Sequence, residues 1–230
     1  MATWITHLRI AEQLQKDLDL NHEAFLLGNL GPDSGVPNED WSKFDPPKKI
    51  THFLSDAKIN GNCIDANRFF KTYLTKIDYN QLSDRDSFLL GYYVHLLTDI
   101  CWSNLHTVIK ERNPDYAQTI KDKPAFIWEV KKDWYGQDFV YLNEHKENVF
   151  NEIVLEIDSV EDYLDYFPKG AFTQQLNYIQ NYYSEENRII PTDRYLTKIE
   201  MDDFVGNSIK SISEILKQQF NVTKKISVAT

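Results

Sequence analysis

The sequence predicts an all-α protein, a single compact multi-helix domain. Three observations lead there. Apolar residues recur at helical spacing along most of the chain, no segment shows sustained strand-like alternation, and glycine and proline number only 8 each among 230 residues. That is too few for a turn-dense sandwich or barrel. Hydrophobic residues make up 42% and charged residues 26%, enough to bury a core and too apolar for a disordered chain. No stretch of ~18 apolar residues occurs, so no transmembrane helix is expected.

The elements follow in order. Trp4, Leu8, Ala11, Leu14 and Leu18 mark a first amphipathic helix. A second, short helix from Asn21 to Leu30 runs into Gly28-Asn29-Leu30-Gly31-Pro32-Asp33-Ser34-Gly35. Pro32 and Gly35 open a loop that continues to Pro46-Pro47, and a loop of that length inside a compact domain is expected to carry function. Phe69, Phe70, Tyr73, Leu74 and Ile77 give a helical pattern over 64–77. Ser83 caps the best helix of the chain, with Asp86 as its capping-box partner. That helix runs from Asp84 to Glu111 and stops before Pro114. Further patterns cover 121–134, 137–155, 160–166, 172–183 and 199–220. The expectation is seven to nine helices in one domain spanning 1–220, with a fraying tail over 221–230.

The net charge is −10. An acidic chain binds nucleic acid or anionic lipid poorly unless metal ions invert the local field, so no stable nucleic-acid partner is expected. Residues 1–8 show no basic segment followed by an apolar run. The expected setting is the cytoplasm, with Cys63 and Cys101 as free thiols.

Six histidines occur, and those on buried faces are informative. His7 lies on the apolar stripe of the first helix. In Gly91-Tyr92-Tyr93-Val94-His95-Leu96-Leu97-Thr98-Asp99-Ile100-Cys101-Trp102, His95 and Asp99 are four apart and share one helix face. They belong to a stripe with Phe88, Tyr92, Trp102 and His106, on a helix apolar nearly all round. A buried Asp needs a partner or it protonates. A lone His-x-x-x-Asp pair reads more readily as a core histidine hydrogen-bonded to an Asp one turn away. The pair does not stand alone: Asp33 sits in the glycine- and proline-shaped loop, His52 follows, and His7 faces inward. Three histidines and two aspartates suit one or two ions of borderline hardness, such as zinc, iron or manganese. His22 reads as a surface or capping residue and Cys101 as packing. The sequence has no P-loop, no Gly-x-Ser-x-Gly and no His-Asp dipeptide of the HD phosphohydrolases.

In order and approximate spacing, His7, the Gly28–Gly35 phrase with Asp33, His52 and His95-x-x-x-Asp99 resemble the zinc-dependent phospholipase C family, whose superfamily includes the single-strand-specific zinc nucleases. The resemblance covers residues 1 to about 106. It implies an all-α hydrolase, a phosphodiesterase with its zinc cluster set between helices. It further implies that Asp33, His52 and His95 hold one ion, that Asp99 bridges to a second, and that His7 ligates the second. In secreted members the second ion also takes the amino group of an N-terminal tryptophan; here Trp4 follows Met1-Ala2-Thr3, and water is expected in that place. A third ion in the family would use a His at the position of His106 and then a His-x-x-x-Glu pair. No such pair follows: His145 is followed four residues on by Val149. Glu129-x-x-x-Asp133 and Asp138 are the acids available, so the third site is expected to be absent or remodelled.

The expected protein is a metal-dependent phosphoester hydrolase, phospholipase C-like, acting on a small soluble phosphoester. Asp33 is the expected catalytic residue, orienting or deprotonating the attacking water. The loop from Gly31 to Lys49, with Trp41 and Phe44, is expected to close over the substrate. The alternative from another class is a non-catalytic metal-binding or interaction domain that keeps the ligands structurally.

Overall fold

The computed structural model describes residues 1–59, 61–79 and 81–220; the tail expected to fray lies outside them. The fold is 65% helical. Its elements are α1 (Trp4–Leu14), α2 (His22–Leu30), β1 (Val36–Pro37), β2 (Phe44–Asp45), α3 (Lys48–Thr51), β3 (Leu54–Ile59), β4 (Asn62–Ile64), α4 (Ala66–Phe69), α5 (Asp84–Arg112), α6 (Pro114–Asp122), α7 (Ile127–Glu144), α8 (Val149–Glu152), α9 (Ala171–Tyr182) and α10 (Lys198–Phe220). Seven of these helices have nine residues or more, and α3, α4 and α8 are single turns. The all-α class stands.

The 29-residue α5 is the central post. It starts at the predicted capping box: Ser83 accepts from the Asp86 amide, and the Asp86 carboxylate accepts from the Ser83 amide. From Ser87 to Asp99 every residue is buried, which only a helix surrounded by neighbours allows. The closest neighbour is α2. A Cβ added at Gly28 would run into the Phe88 backbone, and one at Gly91 into the Phe25 backbone. The two helices therefore touch backbone to backbone at two glycines. Around this pair, α1 and α10 complete the layer, and one cluster of buried apolar side chains extends from Ala2 to Leu216.

Several segments differ from the sequence expectation. Over 64–77, Ile64 closes the hairpin β3–β4, and α4 continues as a π-helical turn over Phe70–Leu74. The hairpin lacked sustained alternation because its outer half is exposed. Its signal was the Asn60-Gly61 dipeptide. Helix α7 runs unbroken across the boundary expected at 134–137, because Gly136 sits inside it and admits Pro191 against the backbone. Residues 160–166 are not helical. Val160, Leu164 and Phe167 are buried at helix-like spacing, but Thr173 of α9 bonds both the amide and the carbonyl of Val160. That tie holds the chain extended across the helix instead.

Replacing Gly91 by Ala forces α2 and α5 apart. It is expected to cost about 3 kcal/mol in chemical denaturation. Gly206→Ala, in α10 with open space around it, is expected to stabilise by about 1 kcal/mol through helix propensity. Equal effects of the two substitutions would contradict this account of the α2–α5 contact.

Candidate metal centre

Five candidate ligands converge on the α2–α5 seam. His7 comes from α1, His95 and Asp99 from α5, Asp33 from the 3-10 turn that ends α2, and His52 from the residue after α3. Each is placed by a local device. Asn29, inside the Gly-Asn-Leu-Gly phrase, presents its carbonyl to His95 Nδ1 at 2.6 Å. A carbonyl only accepts, so Nδ1 carries the proton and Nε2 points into the centre as a bare donor. His52 Nδ1 is 2.9 Å from the Thr51 hydroxyl, and the Tyr92 hydroxyl of α5 donates to the Thr51 carbonyl at 2.5 Å. Trp4 Nε1 donates to Asp33 Oδ2 at 3.0 Å. The Ala2 amide donates to Asp99 Oδ1 at 2.9 Å.

The remaining atoms face one another without bonding. His7 Nε2 lies 3.5 Å from Asp99 Oδ1; His95 Nε2 lies 3.5 Å and His52 Nε2 3.6 Å from Asp99 Oδ2; His52 Nε2 lies 3.5 Å from Asp33 Oδ1. The His7 and His95 rings stack at 3.8 Å. Five buried atoms here have no hydrogen-bond partner: both nitrogens of His7, Nε2 of His52 and His95, and Oδ2 of Asp99. Leaving each so costs ~1–3 kcal/mol. The separations are too long for hydrogen bonds, yet two ligands ~2.1 Å from one tetrahedral ion lie ~3.4 Å apart. The donor set thus fits a cation. Two groups of ligand atoms lie within 4.8 Å of one another, His7–His95–Asp99 and Asp33–His52–His95. Asp99 turns one oxygen toward His7 and the other toward His95 and His52, the disposition a bridging carboxylate needs.

Two of the three imidazoles are shifted toward the neutral form that metal binding needs. Burial and the neighbouring His95 pull His7 down to about 4, and burial holds His52 below the ordinary histidine value. Burial also works against protonation of His95, but Asp99 and Asp33 outweigh it and raise that group. Burial would raise Asp33, yet His52 and Lys48 hold it far below the usual carboxylate range, so it is ionised throughout the neutral range.

The expected third-site residues do not come together. His106 Nε2 shares a 2.6 Å hydrogen bond with the Tyr116 hydroxyl and packs against Trp134. Glu129 pairs at the surface with Lys132. Asp133 accepts from the amides of Thr192, Asp193 and Tyr195 and the hydroxyl of Thr192, which uses both its oxygens. Asp138 accepts from Thr3 and Tyr183 at 2.7 and 2.5 Å. Among the described residues none of the four belongs to a group of candidate ligands. His22 and His145 are exposed, and both cysteines are free.

A cleft of about 230 Å³ opens over the Asp33 side of the centre. Trp41 and Phe44 of the expected loop line it, together with Lys48 and, from α7, Trp128 and Lys131. The sequence reading missed both lysines and the indole bond to Asp33. For Lys131 a signal existed: Trp128, Lys131 and Tyr135 recur at i, i+3 and i+7 on one helix face.

Fold and site together define an all-α protein with a buried His/Asp centre able to hold metal. The model of one family, described as zinc dependent phospholipase C, matches residues 6–222. The chain belongs to that family, and the match extends the resemblance well beyond the first half. No curated protein and no solved structure matches the chain.

Two outcomes follow. If Asp99 joins both ligand groups, Asp99→Asn lowers metal content and removes most of the thermal stabilisation that metal confers on the wild type, since a ligand bound to the native state stabilises it. Thermal melts with and without chelator read this, and identical chelator sensitivity in the two proteins would contradict it. The second concerns Asp138, which burial pushes up to about 7. An unfolded Asp titrates near ~3.9, so the native state holds a proton that the unfolded chain has released, and stability falls as pH rises from about 4 through about 7. Asp138→Asn cannot ionise. Its melting temperature relative to wild type is expected to rise by about 4 °C, roughly 1–2 kcal/mol, between pH 5 and pH 8. A difference independent of pH would refute the assignment.

Proposed function

We propose that residues 1–220 act as one metal-dependent phosphoester hydrolase on a small soluble substrate in the cytoplasm. The observation that carries this reading is the junction of two buried ligand groups with an open cleft at Asp33. Zinc is the expected metal, in one or two ions; iron and manganese suit the same donors. Asp33, His52 and His95 would hold one ion, and His7 and Asp99 the other. When bound, the metal supplies Lewis acidity, lowering the pKa of water and drawing charge from the phosphoryl oxygens.

The protein's own groups do the rest. Asp33 is ionised and lines the cleft, and Trp4 fixes its orientation. It presents an acceptor to the attacking water and orients its lone pair toward phosphorus. Lys48, 3.9 Å from Asp33, offers an ammonium to the phosphoryl group. Trp41 and Phe44, in edge-to-face contact, form the wall that excludes bulk water. A non-catalytic domain that keeps the ligands structurally would close its coordination sphere with protein; the cleft at Asp33 supports the open arrangement. His106 in its aromatic nest, with Asp133 and Asp138 committed to structural bonds, supports a centre without a third ion.

The test is elemental analysis after mild purification, followed by a comparison of a water-soluble phosphodiester with phosphatidylcholine vesicles under matched metal conditions. The expectation is at least one ion per chain, turnover of the soluble ester, and loss of about 100-fold or more in Asp33→Asn. Efficient vesicle hydrolysis with co-sedimentation would overturn the soluble-substrate part. Full metal occupancy with no turnover of any phosphoester would favour the non-catalytic alternative.

A further inference from the structure

The cleft contains two cations that the metal centre does not use. Lys48 rises from α3 beside Asp33, and Lys131 projects from α7. Lys131 is half-buried, and its ammonium lies 4.6 Å from the ring centroid of Trp128. Among the described residues it has no carboxylate partner. Burial, and after it the charge of Lys48, lower its pKa, so the two ammonium groups feel each other across the cleft. A partly desolvated cation without a counter-charge is a cost unless a ligand supplies that charge. Lys48 already has Asp33. Lys131 has the face of an indole that is itself 60% exposed, and Asp33, already paired with Lys48, reaches it only at longer range.

Much of the rest of the wall is aromatic. Trp4, Trp41, Tyr135, Tyr178 and Tyr182 line the same cleft. Aromatic faces alone would suit a quaternary ammonium group through cation–π attraction. Two lysines in the same space reverse that preference, because a cationic arm would meet like charge in a low-dielectric setting. An anionic arm would meet a ready donor and a charge-assisted hydrogen bond.

We propose that Lys131 is a specificity-determining residue, and that the substrate is a phosphodiester whose non-reacting arm carries a further negative charge. Lys48 meets the reacting phosphoryl group next to Asp33. Lys131 meets the charge on the far arm, and Trp128 and Trp41 cover that arm at the mouth. The inference rests on the hydrolase reading above and deepens it by naming the substrate class.

The experiment uses the metal-loaded protein and two p-nitrophenyl phosphodiesters that share the reacting bond and differ only at the end of the second arm, a carboxylate or a trimethylammonium group. Wild type is expected to favour the carboxylate arm by about tenfold or more in kcat/KM, mostly through KM. Lys131→Met is expected to abolish that preference, raising KM for the anionic arm and lowering it for the cationic one, while Lys131→Arg retains it. A second readout does not depend on turnover: 3-phosphonopropionate, which carries a carboxylate beyond its phosphonate, is expected to raise the melting temperature of metal-loaded wild type and of Lys131→Arg more than propylphosphonate does, and that surplus is expected to vanish in Lys131→Met. Turnover of both esters with a preference that Lys131→Met leaves unchanged would overturn the inference and leave the hydrolase reading intact. Turnover of neither would overturn the hydrolase reading, and with it the substrate class. The melting shifts would then decide Lys131 alone: an equal surplus of 3-phosphonopropionate over propylphosphonate in wild type and Lys131→Met would reject it as an anion contact.

Discussion

The backbone contact between α2 and α5 is the constraint on which the rest of the structure depends. Gly28 and Gly91 let the two helices meet without side chains between them. That approach delivers the Asn29 carbonyl to His95 Nδ1. The bond selects one tautomer, aims Nε2 at Asp99, and leaves no freedom for the ring to turn away. The Asn29 side chain is tied back to the Phe25 carbonyl, which stiffens the last turn of α2 just before the chain bends into Asp33. A glycine phrase, a tautomer and a ligand direction are thus one mechanical unit. An outer hydrogen bond of this kind commonly orients a metal-binding histidine.

The centre is costly to build. Two carboxylates and three imidazoles are withdrawn from water, and five of their atoms find no hydrogen-bond partner among the described residues. Neutral histidines at positions 7 and 52 limit the charge to be buried, and amide and indole donors satisfy one oxygen of each aspartate. What is left over is negative charge and lone pairs aimed at a common volume, an arrangement that a cation resolves. Family membership and geometry meet here, since the matched region includes all five candidate ligands; the Ala2 amide and the Trp4 indole that brace the two aspartates lie just before it.

The acids on α7 show the opposite use of similar chemistry. Asp133 and Asp138 are as deeply buried as Asp99, yet neither lacks partners. Asp133 gathers the amides of the segment leading into α10, and Asp138 ties α1 to α7 and α9 through Thr3 and Tyr183. A carboxylate whose lone pairs are filled by amides and hydroxyls is a structural joint. One whose second oxygen faces only imidazole nitrogens is free to take a metal. The lysines follow the same distinction, with Lys132 paired to Glu129 at the surface and Lys131, one residue earlier, without a carboxylate partner among the described residues and set against Trp128 in the cleft.

Local signals carried much of the fold and the ligand set. The period of the apolar stripe, the Ser83 cap, the i,i+4 placement of His95 and Asp99, and the glycine–proline phrase around Asp33 all act within a few residues, and the chain itself therefore determined an all-α protein with five inward-pointing candidate ligands. Tertiary structure decided what depends on distant partners. Residues 160–166 lost their helix because Thr173 bonds the backbone of Val160. Gly136 became a packing site because Pro191 arrives from another segment. His106 stands apart from the other candidate ligands because its ring is bonded to Tyr116 and packed on Trp134, both from other helices. Asp33, Lys48 and Lys131 share one cleft because the turn after α2, α3 and α7 meet there. No periodicity encodes those meetings: a helix pattern reports which face is buried, whereas the choice between ligand, joint and clamp is made by the atoms that arrive from elsewhere in the chain.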